Sequence, residues 1–147
     1  MNRLYPKQPL VGIGAVLICE GKILLEKRKN APGRGKWSIP GGLVDLGEHL
    51  EQSVIREVKE ETQLNVYDPE LIDAVDNVTV DDDGKVRYHF VIIDYFVKLK
   101  GGTIKASSDA EELQWTPFEE VENHVLTETF REFFVRNRSK LEEMNSC

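Results

Sequence analysis

The sequence predicts an α/β (α+β) chain in which a mixed β-sheet packs between helices. Strand signals and helical signals succeed one another without the strict alternation of a doubly wound parallel fold. One strongly patterned helix falls in the middle of the chain and another near its end. At 147 residues, 40% hydrophobic and 31% charged, the chain has the length and composition of one soluble domain, residues 1–147, with a core of its own.

Taken in order, Val11–Cys19 and Lys22–Arg28 are β-rich runs joined by Glu20-Gly21, a tight-hairpin signal. Lys36–Ile39 reads as short and extended, because Pro40 disfavours the helical conformation at Ile39. A helix follows over roughly His49 to Gln63, with Leu50, Val54 and Val58 spaced four apart as its buried stripe. Leu71–Asp81 and Lys85–Leu99 are long strands on either side of Asp82-Asp83-Gly84, the clearest turn in the chain. Gly101-Gly102 marks a further turn and Glu112–Trp115 a last short strand. A helical turn near Phe118–Asn123 precedes a final helix of about Thr127 to Glu143. Phe130, Phe133, Phe134 and Leu141 form the apolar face of that helix. Phe118, Phe130, Phe133 and Phe134 suit either the core or a homodimer interface, and the core is the expected place.

The net charge of −7 argues against a nucleic-acid backbone or an anionic membrane as the main partner. A phosphorylated substrate is repelled for the same reason, so phosphate chemistry here requires bound cations that reverse the local field. The two cysteines, Cys19 and Cys147, make neither a disulfide framework nor a metal-ligand spacing, and Cys19 reads as a small core residue. Leu10 to Cys19 is the longest apolar run near the N-terminus, too short to cross a bilayer and broken by Gly12 and Gly14. The cytoplasm is the expected compartment.

Chemistry concentrates between residues 42 and 61. Gly42 and Glu48 lead into a helix on which Glu57, Glu60 and Glu61 share one face, because residues three and four apart lie over one another. Such neighbours repel unless something positive lies among them. Clustered carboxylate oxygens suit hard cations, above all Mg²⁺ or Mn²⁺. A Glu-x-x-Glu-Glu run alone is an ordinary solvated face. Pro40-Gly41-Gly42 argues otherwise, since it carries a backbone-entropy cost with no apolar return unless the main chain must approach something closely.

This stretch resembles the Nudix box: Gly, five residues, Glu, seven residues, Arg-Glu, an aliphatic, any residue, Glu-Glu, any residue, Gly, an aliphatic. Here it runs Gly42, Glu48, Arg56, Glu57, Val58, Glu60, Glu61, Gln63, Leu64, and only the last glycine is replaced, by Gln63. That glycine would end the helix in the left-handed conformation. Asn65, which tolerates that conformation better than most residues, is an alternative stop. A looser likeness extends from Val11 to about Phe118. The resemblance implies an α/β/α sandwich with a mixed, partly barrel-like sheet. It also implies Mg²⁺- or Mn²⁺-dependent hydrolysis of a nucleoside diphosphate linked to another moiety. By motif position Glu57 and Glu61 are the main metal ligands, Glu60 assists, and the Gly42 carbonyl is a backbone ligand. Arg56 orients the glutamates and Glu48 lies nearby. The general base is either a box glutamate or an acid of a later loop, from among Asp109, Glu111 and Glu112.

For the substrate, Arg28, Arg34 and Lys36 are candidate phosphate contacts ahead of the glycine loop, and Gly41 a backbone one. Trp37 is assigned to the core in preference to a base platform. Tyr88 is a candidate wall of a nucleoside pocket, while His89 reads as structural. Tyr88-His89-Phe90-Val91-Ile92, Gly101-Gly102 and Asp109-Ala110-Glu111-Glu112 resemble small ADP-ribose pyrophosphatase-like members. ADP-ribose, cleaved to AMP and ribose 5-phosphate, is therefore the preferred substrate. An oxidised nucleoside triphosphate is the alternative, and a non-catalytic nucleotide-sensing module is a third.

Overall fold

A computed structural model describes residues 3–101 and 110–147, with main chain alone at 110 and 111. Among the described residues, eight strands and three helices follow in chain order: β1 Leu10–Val16, β2 Ile18–Cys19, β3 Lys22–Arg28, β4 Trp37–Ser38, β5 Gly41–Leu43, α1 Leu50–Thr62, β6 Asn65–Val80, β7 Val86–Gly101, β8 Ala110–Pro117, α2 Phe118–Val121 and α3 Glu128–Leu141. The strands form two four-stranded sheets. One has the order β5-β1-β7-β6 and is mixed: β1 runs parallel to β7, and the other pairs are antiparallel. In the other, β3 pairs antiparallel with β2, β4 and β8.

Period-two alternation sends the two faces of β1 and β7 into two cores. Ile13, Ala15, Leu17, Tyr95 and Val97 pack with Val54 and Val58 of α1. Val16, Ile18 and Phe96 pack with Phe130, Phe133, Phe134 and Leu141 of α3. All four phenylalanines considered above are buried in this second core, stacked or tilted on one another at 5.8–6.4 Å between centroids. Trp37 packs against the same core, its ring edge on His124. Among the described residues, no helix is long and apolar enough to cross a membrane.

Several boundaries differ from expectation: the Val11–Cys19 run divides between β1 and β2 in different sheets, and of the expected Gly101-Gly102 turn Gly101 ends β7 while Gly102 lies outside the described residues. Gly41–Leu43 is a strand and not a loop, pairing with Gly12–Gly14 of β1. A Cβ at Gly41 would overlap the Ile13 carbonyl, so glycine permits a strand approach that its poor β-propensity disguises. β6 begins at Asn65, six residues before the expected Leu71, and passes through Pro69. Proline is tolerated because β6 is an edge strand with a register shift between Tyr67 and Glu70, where Asp68 turns left-handed (φ 48°). The helix ends at Thr62, and Gln63, not Asn65, is the left-handed residue (φ 68°), its N–H donating to Lys59 O at 3.0 Å.

A side chain in that conformation costs roughly 1–2 kcal/mol relative to glycine, partly offset by glycine's greater freedom when unfolded. Gln63→Gly is therefore expected to stabilise the protein by about 0.5–1 kcal/mol, raising Tm by about 2–4 °C. An unchanged or lower Tm in a thermal melt would contradict this.

The cysteine reading requires correction. Cys19 is only half-buried and is bonded to Cys147 through a disulfide. Sequence spacing hid the pair because 128 residues separate the two positions. The C-terminal segment lies along β2 and the end of β7: Ser146 N donates to Ile18 O at 2.6 Å, Ile18 N to Ser146 Oγ at 2.9 Å, and Leu99 N to Ser146 O at 2.8 Å.

Candidate active site

α1 projects Glu57 and Glu61, four residues apart, towards β5, whereas Glu60 is rotated about 60° from Glu57 and about 100° from Glu61 and stands at the rim. Residue exposure is 9% for Glu57 and 4% for Glu61, while the Glu60 side chain is 59% exposed. Main-chain approach at β5 completes the arrangement. Gly41 N donates to Glu61 Oε2 at 2.8 Å, and a Cβ at Gly42 would fall on the Glu57 carboxyl. Glycine at 42 is thus required by contact and not by turn geometry.

Arg56 organises the acids. Nε and Nη2 grip Glu48 in bidentate fashion at 2.6 and 2.9 Å. Nη1 reaches Glu57 Oε1 at 2.8 Å and Glu60 Oε2 at 3.0 Å. Nη2 also donates to the Leu43 carbonyl at 3.3 Å and lies 3.5 Å from Asp45. The hydrogen-bonded guanidinium pulls the Glu48 carboxyl down to about 2 and Glu48, with Glu57, pushes Arg56 well above the ordinary arginine range. The loop bends back at Gly47, with Asp45 N donating to Glu48 Oε1 at 3.1 Å. Among the described residues, no three His, Cys, Asp or Glu side chains are arranged as a ready ion cage. Glu57 and Glu61 share one cleft, and Glu60 is turned towards Arg56.

Two adjoining spaces meet at Gly41, Gly42 and Leu43. The first, about 440 Å³, contains Glu57, Glu61 and Asp45 with Arg3 and Arg28 at its edge. The second, about 340 Å³, runs between the sheets, with apolar walls from Ile39, Phe90, Ile92 and Phe130. Its polar lining includes Glu26, Arg28, Lys36, Asn77 and Asp94. Of the basic candidates, Arg28 and Lys36 line this space, and Arg28 Nε is anchored to Pro32 O at 2.7 Å. Arg34 is exposed and lines neither space. Tyr88 also lines neither, and stacks on Phe90 at 6.0 Å. Asp109 and the Glu111 side chain lie outside the described residues, and Glu112 is exposed on β8.

Asp94 and Glu26 went unnoticed in the sequence. The available signal was a lone acid inside each apolar strand run, Phe90–Val97 and Ile23–Leu25 with Glu26. Both are almost fully buried. Burial, reinforced by the nearby Asp73 charge, raises the Asp94 carboxyl to about 8.

Residues 8–136 match the model of the NUDIX domain, and the chain belongs to the Nudix family. It is 38% identical over 113 residues to an ADP-ribose pyrophosphatase of Methanocaldococcus jannaschii, covering 77% of this chain and 64% of that protein. The match thus spans less than two thirds of that relative's length. Among solved structures, a MutT NUDIX hydrolase from Burkholderia pseudomallei superposes with a TM-score of 0.76 at 33% identity, covering 86% of this chain and 95% of that one. The NUDIX domain of Shewanella oneidensis NrtR, solved in complex with ADP ribose, gives 0.75 at 26% identity, covering 92% and 90%. The expected mixed-sheet α/β architecture is thereby met.

Proposed function

We propose that this protein hydrolyses a nucleoside diphosphate linked to a second moiety, with ADP-ribose as the preferred substrate and AMP and ribose 5-phosphate as products. The observation that carries the reading is the junction of an acid-lined cleft and a nucleoside-sized cavity at Gly41-Gly42, with Arg28 bordering both. A linked diphosphate laid across that junction would place its organic part between the sheets and its phosphates beside Glu57 and Glu61. Similarity to an ADP-ribose pyrophosphatase and to a domain bound to ADP ribose favours this substrate class.

The donor set fits a hard divalent ion, Mg²⁺ or Mn²⁺. It comprises two buried carboxylates, a third at the rim and a main-chain carbonyl at a residue where a side chain would intrude. Glu57, Glu61, Glu60 and the Gly42 carbonyl are the groups that would hold it. When bound, such an ion neutralises phosphate oxygens and lowers the pKa of water. The chain supplies everything else. Arg56 keeps Glu57 and Glu60 directed, and the Gly41 amide fixes Glu61. Arg28, which borders both spaces, offsets the negative net charge beside the phosphates, and Lys36 does so from the inter-sheet cavity. Water adds to one phosphorus, the bridging P–O bond breaks, and the proton passes to a carboxylate of the box or to Glu111.

The test is a comparison of kcat/KM for ADP-ribose and for an 8-oxo-purine nucleoside triphosphate, with Mg²⁺, with Mn²⁺ and with excess chelator. ADP-ribose should be cleaved to AMP and ribose 5-phosphate, and chelation should abolish the reaction. A higher kcat/KM on the triphosphate would transfer the assignment to that substrate. No phosphate-bond cleavage in any arm would leave a binding module.

A further inference from the structure

We propose that Asp94 reads the base of the bound nucleotide, giving one hydrogen bond to a ring nitrogen and accepting one from the adjacent amino group of an aminopurine. The inference rests on the nucleotide-binding reading of the inter-sheet cavity and assigns its selectivity to one residue.

Asp94 sits midway along β7 on the face that also carries Phe90, Ile92 and Phe96. It is 2% exposed and lines the cavity of about 340 Å³, a volume suited to a small organic group. The neighbouring strand makes room for it: Gly14 of β1 is its register partner, and a Cβ there would overlap the Asp94 carboxyl and crowd Ile39. Among the described residues the carboxyl makes no hydrogen bond and no ion pair. The carboxyl lines the cavity, where a ligand that completes its hydrogen bonds is favoured over one that leaves it unmet.

The surroundings decide which ligand. On β6, Asp73 faces Asp94 in register and is already satisfied by Asn137 and Arg136 of α3 at 2.8 and 2.9 Å. Among the described residues, the other charged groups on this cavity are Glu26 and Arg28 of β3, Lys36 of the following connection, Glu128 of α3, and Arg3. Burial and the Asp73 charge hold the proton on Asp94 at neutral pH. A protonated carboxyl presents an O–H donor beside a C=O acceptor. That is the pair with which an amide recognises adenine at adjacent ring-nitrogen and amino positions. An aminopurine therefore satisfies both oxygens, and a purine without the 6-amino group leaves one unpaired.

The experiment measures AMP and purine-riboside 5′-monophosphate binding by calorimetry to wild type, Asp94→Asn and Asp94→Ala, alongside ADP-ribose kinetics. Wild type should favour AMP by about tenfold or more, Asp94→Asn should keep that preference, and Asp94→Ala should bind both alike. In kinetics, Asp94→Ala should raise KM for ADP-ribose about tenfold with kcat within about threefold. Above pH 8 wild-type affinity for AMP should fall while that of Asp94→Asn stays level. Melting temperatures of both variants at or above wild type would show that folding is intact. An AMP preference that survives in Asp94→Ala, or wild type that binds no AMP, overturns the proposal. AMP selectivity that depends on Asp94 without ADP-ribose turnover would support it while removing the hydrolase reading.

Discussion

Replacement of Glu57 or of Glu61 by glutamine is expected to lower turnover on the linked diphosphate at least about a hundredfold, with little change in Tm. Opposite unit charges 4 Å apart interact by about 4 kcal/mol at an effective dielectric of 20, and each 1.4 kcal/mol in a barrier is about tenfold. Loss of one carboxylate charge is therefore sufficient for the effect. The fold should survive because a glutamine carbonyl still accepts from Arg56 at position 57 and from the Gly41 amide at position 61. Glu60→Gln should be milder, since Glu60 stands at the rim. Wild-type rates in both inner variants, measured with saturating Mg²⁺, would remove the mechanism.

Arg56→Ala is expected to damage stability and activity together. The side chain is a quarter exposed and bridges Glu48, Glu57 and Glu60, so its loss leaves carboxylates crowded without their cation. Breaking such a network lowers Tm by roughly 5–10 °C, with solvent screening keeping the loss below that of a fully buried pair. The pH dependence has a definite sign. The Glu48 carboxyl is lowered from 4.5 to about 2 by its bond to Arg56. Its stabilising contribution is complete above about pH 4.5 and is lost as pH falls towards 2. Wild type should lose stability across that window more steeply than Arg56→Ala, in urea melts at a series of acid pH values. Parallel slopes would show that Arg56 does not set the Glu48 titration.

The box was readable from sequence because Gly42, Glu48, Arg56, Glu57, Glu60 and Glu61 are a local pattern, and a helix converts fixed spacing into a shared face. Even there the order of importance came from tertiary contact. Only the position of β5 shows that Glu57 and Glu61 turn inward while Glu60 stays outside. Long hairpins such as β6–β7 also announced themselves, through Asp82-Asp83-Gly84. Non-local pairing was not legible. β3 finds β8 some ninety positions later (Lys22 opposite Pro117), and nothing local in either strand specifies that partner or the division into two sheets. Asp94 escaped for a related reason. In the string Val91-Ile92-Ile93-Asp94-Tyr95-Phe96 it is one polar interruption, and its meaning depends on a glycine eighty residues earlier, Gly14, that leaves it room.

The link between Cys19 and Cys147 has a thermodynamic corollary. Denaturing the oxidised chain yields a closed ring of about 128 residues, not an open string. Ring closure of that size removes on the order of 4–5 kcal/mol of denatured-state entropy in the simplest polymer treatment, and measured gains are commonly about 2–4 kcal/mol. The covalent bridge lies on β2 and the C-terminal segment, and neither cysteine lines the acid-lined cleft or the inter-sheet cavity. Redox conditions would then shift the balance between folded and unfolded chain without altering what its cleft can do.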